Sequence, residues 1–156
     1  MNKVGKVVAV CTSDRTGIAK HPIVQGILKV NWGLEGDAHA GEWHRQVSLL
    51  AMESIKKMRA KGLNVRPGSF AENITTEGLE LFTLPIGTQM RLGSALVEVT
   101  QIGKICHTKC AIYQQAGDCV MPREGIFVKV LEPGQVTAGD RIEILSVPEA
   151  ASEAEE

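Results

Sequence analysis

Short apolar runs separated by glycines set the rhythm of this chain. Val4 to Cys11 predicts a strand, and Ile27 to Asn31 a second one. The second ends in the turn-prone stretch Gly33-Leu-Glu-Gly36-Asp37. Val47 to Leu50 is a short run with strand character. From Gly68 onward strands resume at Asn73 to Thr75, Gln89 to Leu92 and Ala95 to Gln101. Within the last, Ala95, Val97 and Val99 alternate with Leu96, Glu98 and Thr100, so one face is buried and the other mixed. Ile126 to Leu131 and Arg141 to Leu145 complete the set. Leu84-Pro-Ile-Gly87, Glu132-Pro-Gly134 and Thr137-Ala-Gly-Asp140 are the intervening turns.

One helix is expected from Ala51 to Ala60, where Met52, Ile55 and Met58 recur at helical spacing. Glu53 and Lys57 suit an i,i+4 pair, and Gly62 stands where such a helix ends. Thr108 to Gly117 predicts a second, shorter helix. Six to eight strands with two helices imply a mainly β fold, a barrel-like, strongly bent sheet with helices at its edge. No repeat or linker divides the chain. Residues 1–146 form one domain, and 147–156, ending ASEAEE, read as a disordered acidic tail.

Composition narrows the function. The charged residues, 17 basic against 18 acidic, leave a net charge of -1. That balance argues against broad electrostatic binding to nucleic acid or to an anionic membrane. No apolar run approaches the roughly 20 residues of a membrane span. The N-terminus lacks a leader-cleavage pattern, so a cytoplasmic location is expected. The 4 cysteines are then better read as thiols, metal ligands or catalytic groups than as disulfides.

Three stretches carry candidate chemistry. The first is Gln101-Ile-Gly-Lys104-Ile-Cys106-His107-Thr-Lys109-Cys110. Lys104, His107 and Lys109 add positive potential that favours a thiolate, the form that attacks electrophiles and binds soft metals. A structural zinc site from Cys106, His107, Cys110 and Cys119 competes with this, although its spacing matches no common finger. Simple burial of small apolar thiols is the third reading.

The second stretch runs from Gly33 to Val47 and holds Asp37, His39, His44 and Arg45. Arg45 can grip phosphate in a bidentate way. Asp37 could orient a histidine ring, and Asp37, His39 and His44 could hold a divalent metal. An ordinary polar surface loop is the alternative. In the third, Arg66 to Ile74, Glu72 and Asn73 are neighbours, so strand alternation turns only one of them inward.

In order, GLEGDAHAG with HRQVSLLA, PGSFAENITTEGLEL with LPIGTQMRLG, and ALVEVTQIGKICHTKC resemble the MOSC family, named for the C-terminal domain of molybdenum-cofactor sulfurases. The resemblance covers about Val4 to Leu145. It implies a barrel-like fold and a role around the molybdenum cofactor (molybdopterin), as a binding or sulfur-carrier domain. It also associates the chain with molybdenum ion binding and with pyridoxal phosphate. The family's cysteine, commonly within Arg-x-Pro-Cys, aligns with Cys110, which would be the sulfur acceptor or metal ligand. Here Lys109 replaces the proline, the arginine is absent, and Cys106 is additional. Asp37, His39, His44, Arg45, Glu72, Asn73, Lys104 and His107 would line the pocket for an anionic pterin. The implied partners are cofactor-biosynthesis or sulfur-donor proteins. A cofactor-dependent reductase of N-hydroxylated compounds and a zinc-stabilised interaction domain are the alternatives.

Overall fold

The computed structural model describes residues 3–15, 18–103 and 124–148. The strands are β1 (Val4–Thr12), β2 (His21–Ile23), β3 (Gln25–Lys29), β4 (Gly33–Leu34), β5 (Val47–Ala51), β6 (Ile74–Glu77), β7 (Gln89–Leu92), β8 (Ala95–Ile102), β9 (Ile126–Glu132), β10 (Gly134–Thr137) and β11 (Arg141–Ser146). The helix α1 (Met52–Ala60) follows β5 directly, and a 3-10 turn spans Leu81–Thr83.

A main sheet runs β11-β7-β8-β9-β5-β6-β1, and β1 pairs again with β11. The sheet is therefore a closed seven-stranded barrel, as the sequence led one to expect. Closure depends on the length of β1. Val4–Lys6 pair with β11 along one edge, while Lys6–Val10 pair with β6 along the other, across a register shift between Val7 and Ala9. Such a shift bends a strand and increases its twist. Every pairing is antiparallel except β5 with β6, which α1 connects. β2 extends the far end of β1 as an edge, which is where Pro22 can sit without breaking a ladder. β3, β10 and β4 form a separate small sheet.

Strand alternation sorts the side chains into two cores. Val47, Leu49, Met90, Leu92, Val97, Val99, Ile126, Val128, Ile142 and Ile144 fill the barrel, joined by Leu28, Leu34 and Val136 of the small sheet. Their neighbours Leu50 and Phe127 point outward, where Met52, Ile55, Met58, Leu63, Val65 and Phe70 cover them. Full burial of one such side chain is worth about 1.5–3 kcal/mol. The methionines of α1 are thus packing residues. Glu53 and Lys57 take tertiary partners: Glu53 accepts from the Gly78 N–H at 2.9 Å, and Lys57 pairs with Glu124 at 2.8 Å.

The sequence pattern missed β2, β4 and β10. β2 and β4 have three and two residues, too short to show a period. β10 begins at the glycine that marked a turn. The second helix, expected from Thr108 to Gly117, lies outside the described residues, as does most of the expected acidic tail.

Candidate functional site at one end of the barrel

The polar residues singled out by sequence gather where β1 ends and β6 begins. A hydrogen-bonded row crosses four strands here. Cys11 N–H donates to Asn73 O at 2.6 Å, and Asn73 N–H donates to Ser48 O at 3.0 Å. Ser48 is paired with Phe127, and Phe127 with Gln101. β8 reaches Gln101 through a register shift after Val99. This row joins the Arg66–Ile74 stretch to the root of the cysteine segment.

Glu72 and Asn73 are both fully buried, not one inward and one outward. They lie before β6, where strand alternation does not apply, and Ala71 has a left-handed φ of 63°. Glu72 accepts from the N–H groups of Gly68 (2.8 Å) and Phe70 (3.1 Å) and from the Thr75 hydroxyl (2.7 Å). Burial pushes its carboxyl above the ordinary range, against the pull of those donors. Asn73 spans two strands: its amide donates to Cys11 O at 3.2 Å, and its carbonyl accepts the Ser48 N–H at 3.0 Å. Both side chains use their polar atoms to hold the chain together.

Next to this brace stands a buried ion pair that sequence reasoning missed. Lys20 Nζ lies 2.8 Å from Asp37 Oδ1, and neither side chain reaches solvent. The Ser13 N–H (3.2 Å) and Thr12 hydroxyl (3.2 Å) also donate to Asp37 Oδ1, while the His39 N–H donates to Oδ2 at 3.0 Å. Burial would raise the Asp37 carboxyl, but the Lys20 ammonium and the backbone donors outweigh it and hold it below the ordinary range. Asp37 thus pairs with a lysine, not with an imidazole. Lys20 reaches the ring instead, with Nζ 3.2 Å from His39 Nδ1. An ammonium can only donate, so Nδ1 accepts and the ring proton sits on Nε2. A lone lysine in a loop, followed by His21-Pro22, gave no sequence signal for this role.

Glycine 68 lets the two groups touch. Its N–H binds Glu72 and its carbonyl accepts the Lys20 N–H at 2.8 Å. Its φ is +93°, and a Cβ there would stand 2.3 Å from Lys20 O and 3.1 Å from Cys11 Sγ. Burial pushes the Cys11 thiol up to about 12, Glu72 adding to the rise while Arg66 and Lys20 oppose it. Cys11 is a packing thiol, as its apolar strand suggested.

His44 and Arg45 lie on the rim. His44 Nε2 and Arg45 Nε both donate to Gln101 Oε1, at 2.8 and 3.0 Å. Gln101 in turn donates to Gly103 O at 2.7 Å. Arg45 also lies 5.3 Å from the Phe127 ring and 5.9 Å from that of Trp43. Trp43 donates from Nε1 to His39 O at 2.9 Å, which links the rim to the buried pair. Gly103 donates to Gly125 O through a 2.6 Å backbone hydrogen bond, so the ends of β8 and β9 meet beside Gln101. Just before β9, the Ser54 hydroxyl donates to Glu124 at 2.5 Å.

The structure therefore gathers Asp37, His39, His44, Arg45, Glu72 and Asn73 at one barrel end. Lys104, Cys106, His107, Cys110 and Cys119 lie outside the described residues. Among the described residues no His, Cys, Asp and Glu cluster could hold a metal. The described donors suit an anion better: Arg45 and His44 are basic, and Gln101 occupies only part of the guanidinium.

The chain forms a closed seven-stranded barrel with this polar rim at one end, and residues 36–143 match the MOSC domain family. The chain belongs to that family, which is related to the molybdenum-cofactor sulfurase domains. It is 28% identical over 144 residues to the uncharacterized protein YflK of Bacillus subtilis, covering 84% of this chain and 64% of that protein. The chain thus spans less than two thirds of that relative. Among solved structures, the YUAD protein of Bacillus subtilis matches with a TM-score of 0.78 at 18% identity, over 95% of this chain and 99% of that one. YiiM from Geobacillus stearothermophilus matches with a TM-score of 0.70 at 21% identity, over 91% and 75%. Both likenesses concern the fold. Among the described residues no helix is long and apolar enough to cross a membrane.

Proposed function

We propose that this domain binds a molybdenum-cofactor-type ligand, an anionic pterin, at the Gln101 end of the barrel. Cys110 would serve there as the thiolate. The observation that carries the proposal is the convergence of His44 and Arg45 on Gln101, at the root of the segment that contains the cysteines. Arg45 would grip the ligand's phosphate through its terminal N–H groups, while His44 and Gln101 hold the guanidinium in place. Lys104 and His107 would add to the positive potential. Lys20 and Asp37 would set the position of His39 beside the ligand. When bound, the cofactor would supply the metal's redox and sulfur chemistry.

As a sulfur carrier, Cys110 would attack the outer sulfur of a persulfide on a donor protein. A new S–S bond forms on Cys110, and the donor's thiolate leaves. Pyridoxal phosphate is not part of the proposal. It is held through a lysine Schiff base, and among the described residues the lysine at this end, Lys20, is committed to Asp37. No observation among the described residues favours the reductase reading over binding and carriage.

The test is loading in cells that make the cofactor. Arg45→Ala should reduce the molybdenum and pterin recovered with the purified protein by about tenfold or more, the scale of one lost charge-assisted contact. Arg45→Lys should recover part of it, because the charge remains but the fork is lost. Undiminished loading in Arg45→Ala sinks the assignment of the phosphate grip.

A further inference from the structure

The rim carries a second feature that the phosphate grip does not use. Trp43 is 42% exposed, which is costly for so large an apolar ring, yet its orientation is fixed from several sides. Its Nε1–H is tied to His39 O at 2.9 Å. The His44 ring meets it edge-on, with centroids 6.0 Å apart and planes at 68°. The Arg45 guanidinium stands 5.9 Å from its centroid. Arg45 lies between two rings, and of these Phe127 is buried in the outer core while Trp43 is open. An oriented, exposed indole beside a guanidinium is the arrangement that binds a flat, charged heterocycle. The ring is stacked, and the anionic tail is caught next to it.

We infer that Trp43 is the stacking platform of this site, and that its ligand class is a planar fused heterocycle bearing a phosphorylated side chain. The inference rests on the reading of the site as an anion-holding rim, and it names the part of the ligand that reading leaves unheld. Pterin phosphates and purine nucleotides share this chemistry. The position of Trp43 near Arg45 puts ring and phosphate on residues two apart in one loop. The tie to His39 O joins the platform, through the His39 ring, to the buried Lys20–Asp37 pair.

The chain has 2 tryptophans, so Trp32→Phe leaves Trp43 as the sole reporter. The full-length Trp32→Phe protein is titrated with 6-hydroxymethylpterin monophosphate, with GMP and with inorganic phosphate, and affinities are checked by calorimetry. Saturable quenching of Trp43 by the pterin phosphate is expected, with no quenching by inorganic phosphate. Trp43→Ala should weaken pterin phosphate binding about tenfold, the typical worth of one ring stacked on an aromatic side chain. Trp43→Phe keeps the ring but loses the tie to His39, and should stay within about threefold. Inorganic phosphate binding should depend on Arg45 and not on Trp43.

Unchanged pterin phosphate affinity in Trp43→Ala overturns the platform. If phosphate binding still needs Arg45 in that case, the anion-holding reading survives without it. Tighter binding of GMP than of pterin phosphate, with the same dependence on Trp43, supports the platform but contradicts the pterin reading of the site. A Trp43 emission that none of the probes quenches, although they bind, means that the indole is covered by the protein's own chain, and also overturns the inference.

Discussion

Lys20 Nζ and Asp37 Oδ1 lie 2.8 Å apart with both side chains closed off from solvent. Two buried charges are expensive unless each finds its partners, and here Asp37 has three further donors, from Thr12, Ser13 and His39, in addition to the lysine. The pair ties the loop before β2 to the loop before β5. It thereby fixes the height of His39 and, through it, of Trp43.

Removal of one partner should therefore unfold this end. Lys20→Met leaves an unpaired buried carboxylate and should cost about 3–5 kcal/mol in urea unfolding. The double variant Lys20→Met, Asp37→Leu should recover much of that loss, because the uncompensated charge is gone. A small cost for Lys20→Met alone would mean that the pair is not buried in solution.

The two buried carboxyls should act on stability with opposite signs. Asp37 is held below its ordinary value of 3.8. Its contribution is full above that value and is lost as the pH falls through the lowered one. Glu72 is raised above 4.5. Its contribution is full below that value and is lost as the pH rises through the raised one. Urea melts across pH 3 to 8 should show Asp37→Asn flattening the acid limb, and Glu72→Gln removing a decline above about pH 4.5. The same slopes in both variants as in the parent would contradict these assignments.

Cys11 should be silent to thiol reagents. Its side chain is buried and its thiol is pushed up to about 12. At pH 8 the folded protein and its Cys11→Ala variant should show the same number of reactive thiols. After denaturation the variant should show one fewer. Gly68→Ala is a companion test of the same contact, because the new methyl meets the Lys20 carbonyl at 2.3 Å where φ is +93°. It should destabilise the protein by more than about 1 kcal/mol.

Much of this fold was legible in the sequence because the barrel strands alternate or run apolar. Gln89–Leu92 coincides with β7, and Ala95–Gln101 falls one residue short of β8. The segments that escaped are those without a period. β2 holds a proline, β4 has two residues, and β10 begins on a glycine. The site was legible as a set of residue types but not as a set of contacts. Asp37, His39, His44 and Arg45 stood out as a dense polar loop, yet the lysine that organises Asp37 lies seventeen positions away in an unremarked loop. Gln101, which accepts from both His44 and Arg45, looked like the last residue of a strand. Its side chain reaches the loop because β8 shifts register just before it, a feature the strand pattern does not announce.

Gln101 should accordingly matter more than its type suggests. Gln101→Ala removes the acceptor shared by His44 and Arg45 and the donor to Gly103. It should weaken binding of phosphate and of pterin phosphate together, by about three- to tenfold, while the melting temperature moves little. Loss of pterin phosphate binding alone would place Gln101 against the ring and not behind the guanidinium.

The most direct test of the central claim is the cofactor content of the cysteine variants. The full-length parent, Cys106→Ser and Cys110→Ser are purified from cells that make the molybdenum cofactor. Molybdenum, pterin and persulfide sulfur are then measured on each. The account predicts metal or persulfide on the parent and on Cys106→Ser, and its loss from Cys110→Ser. Full loading of Cys110→Ser would contradict it.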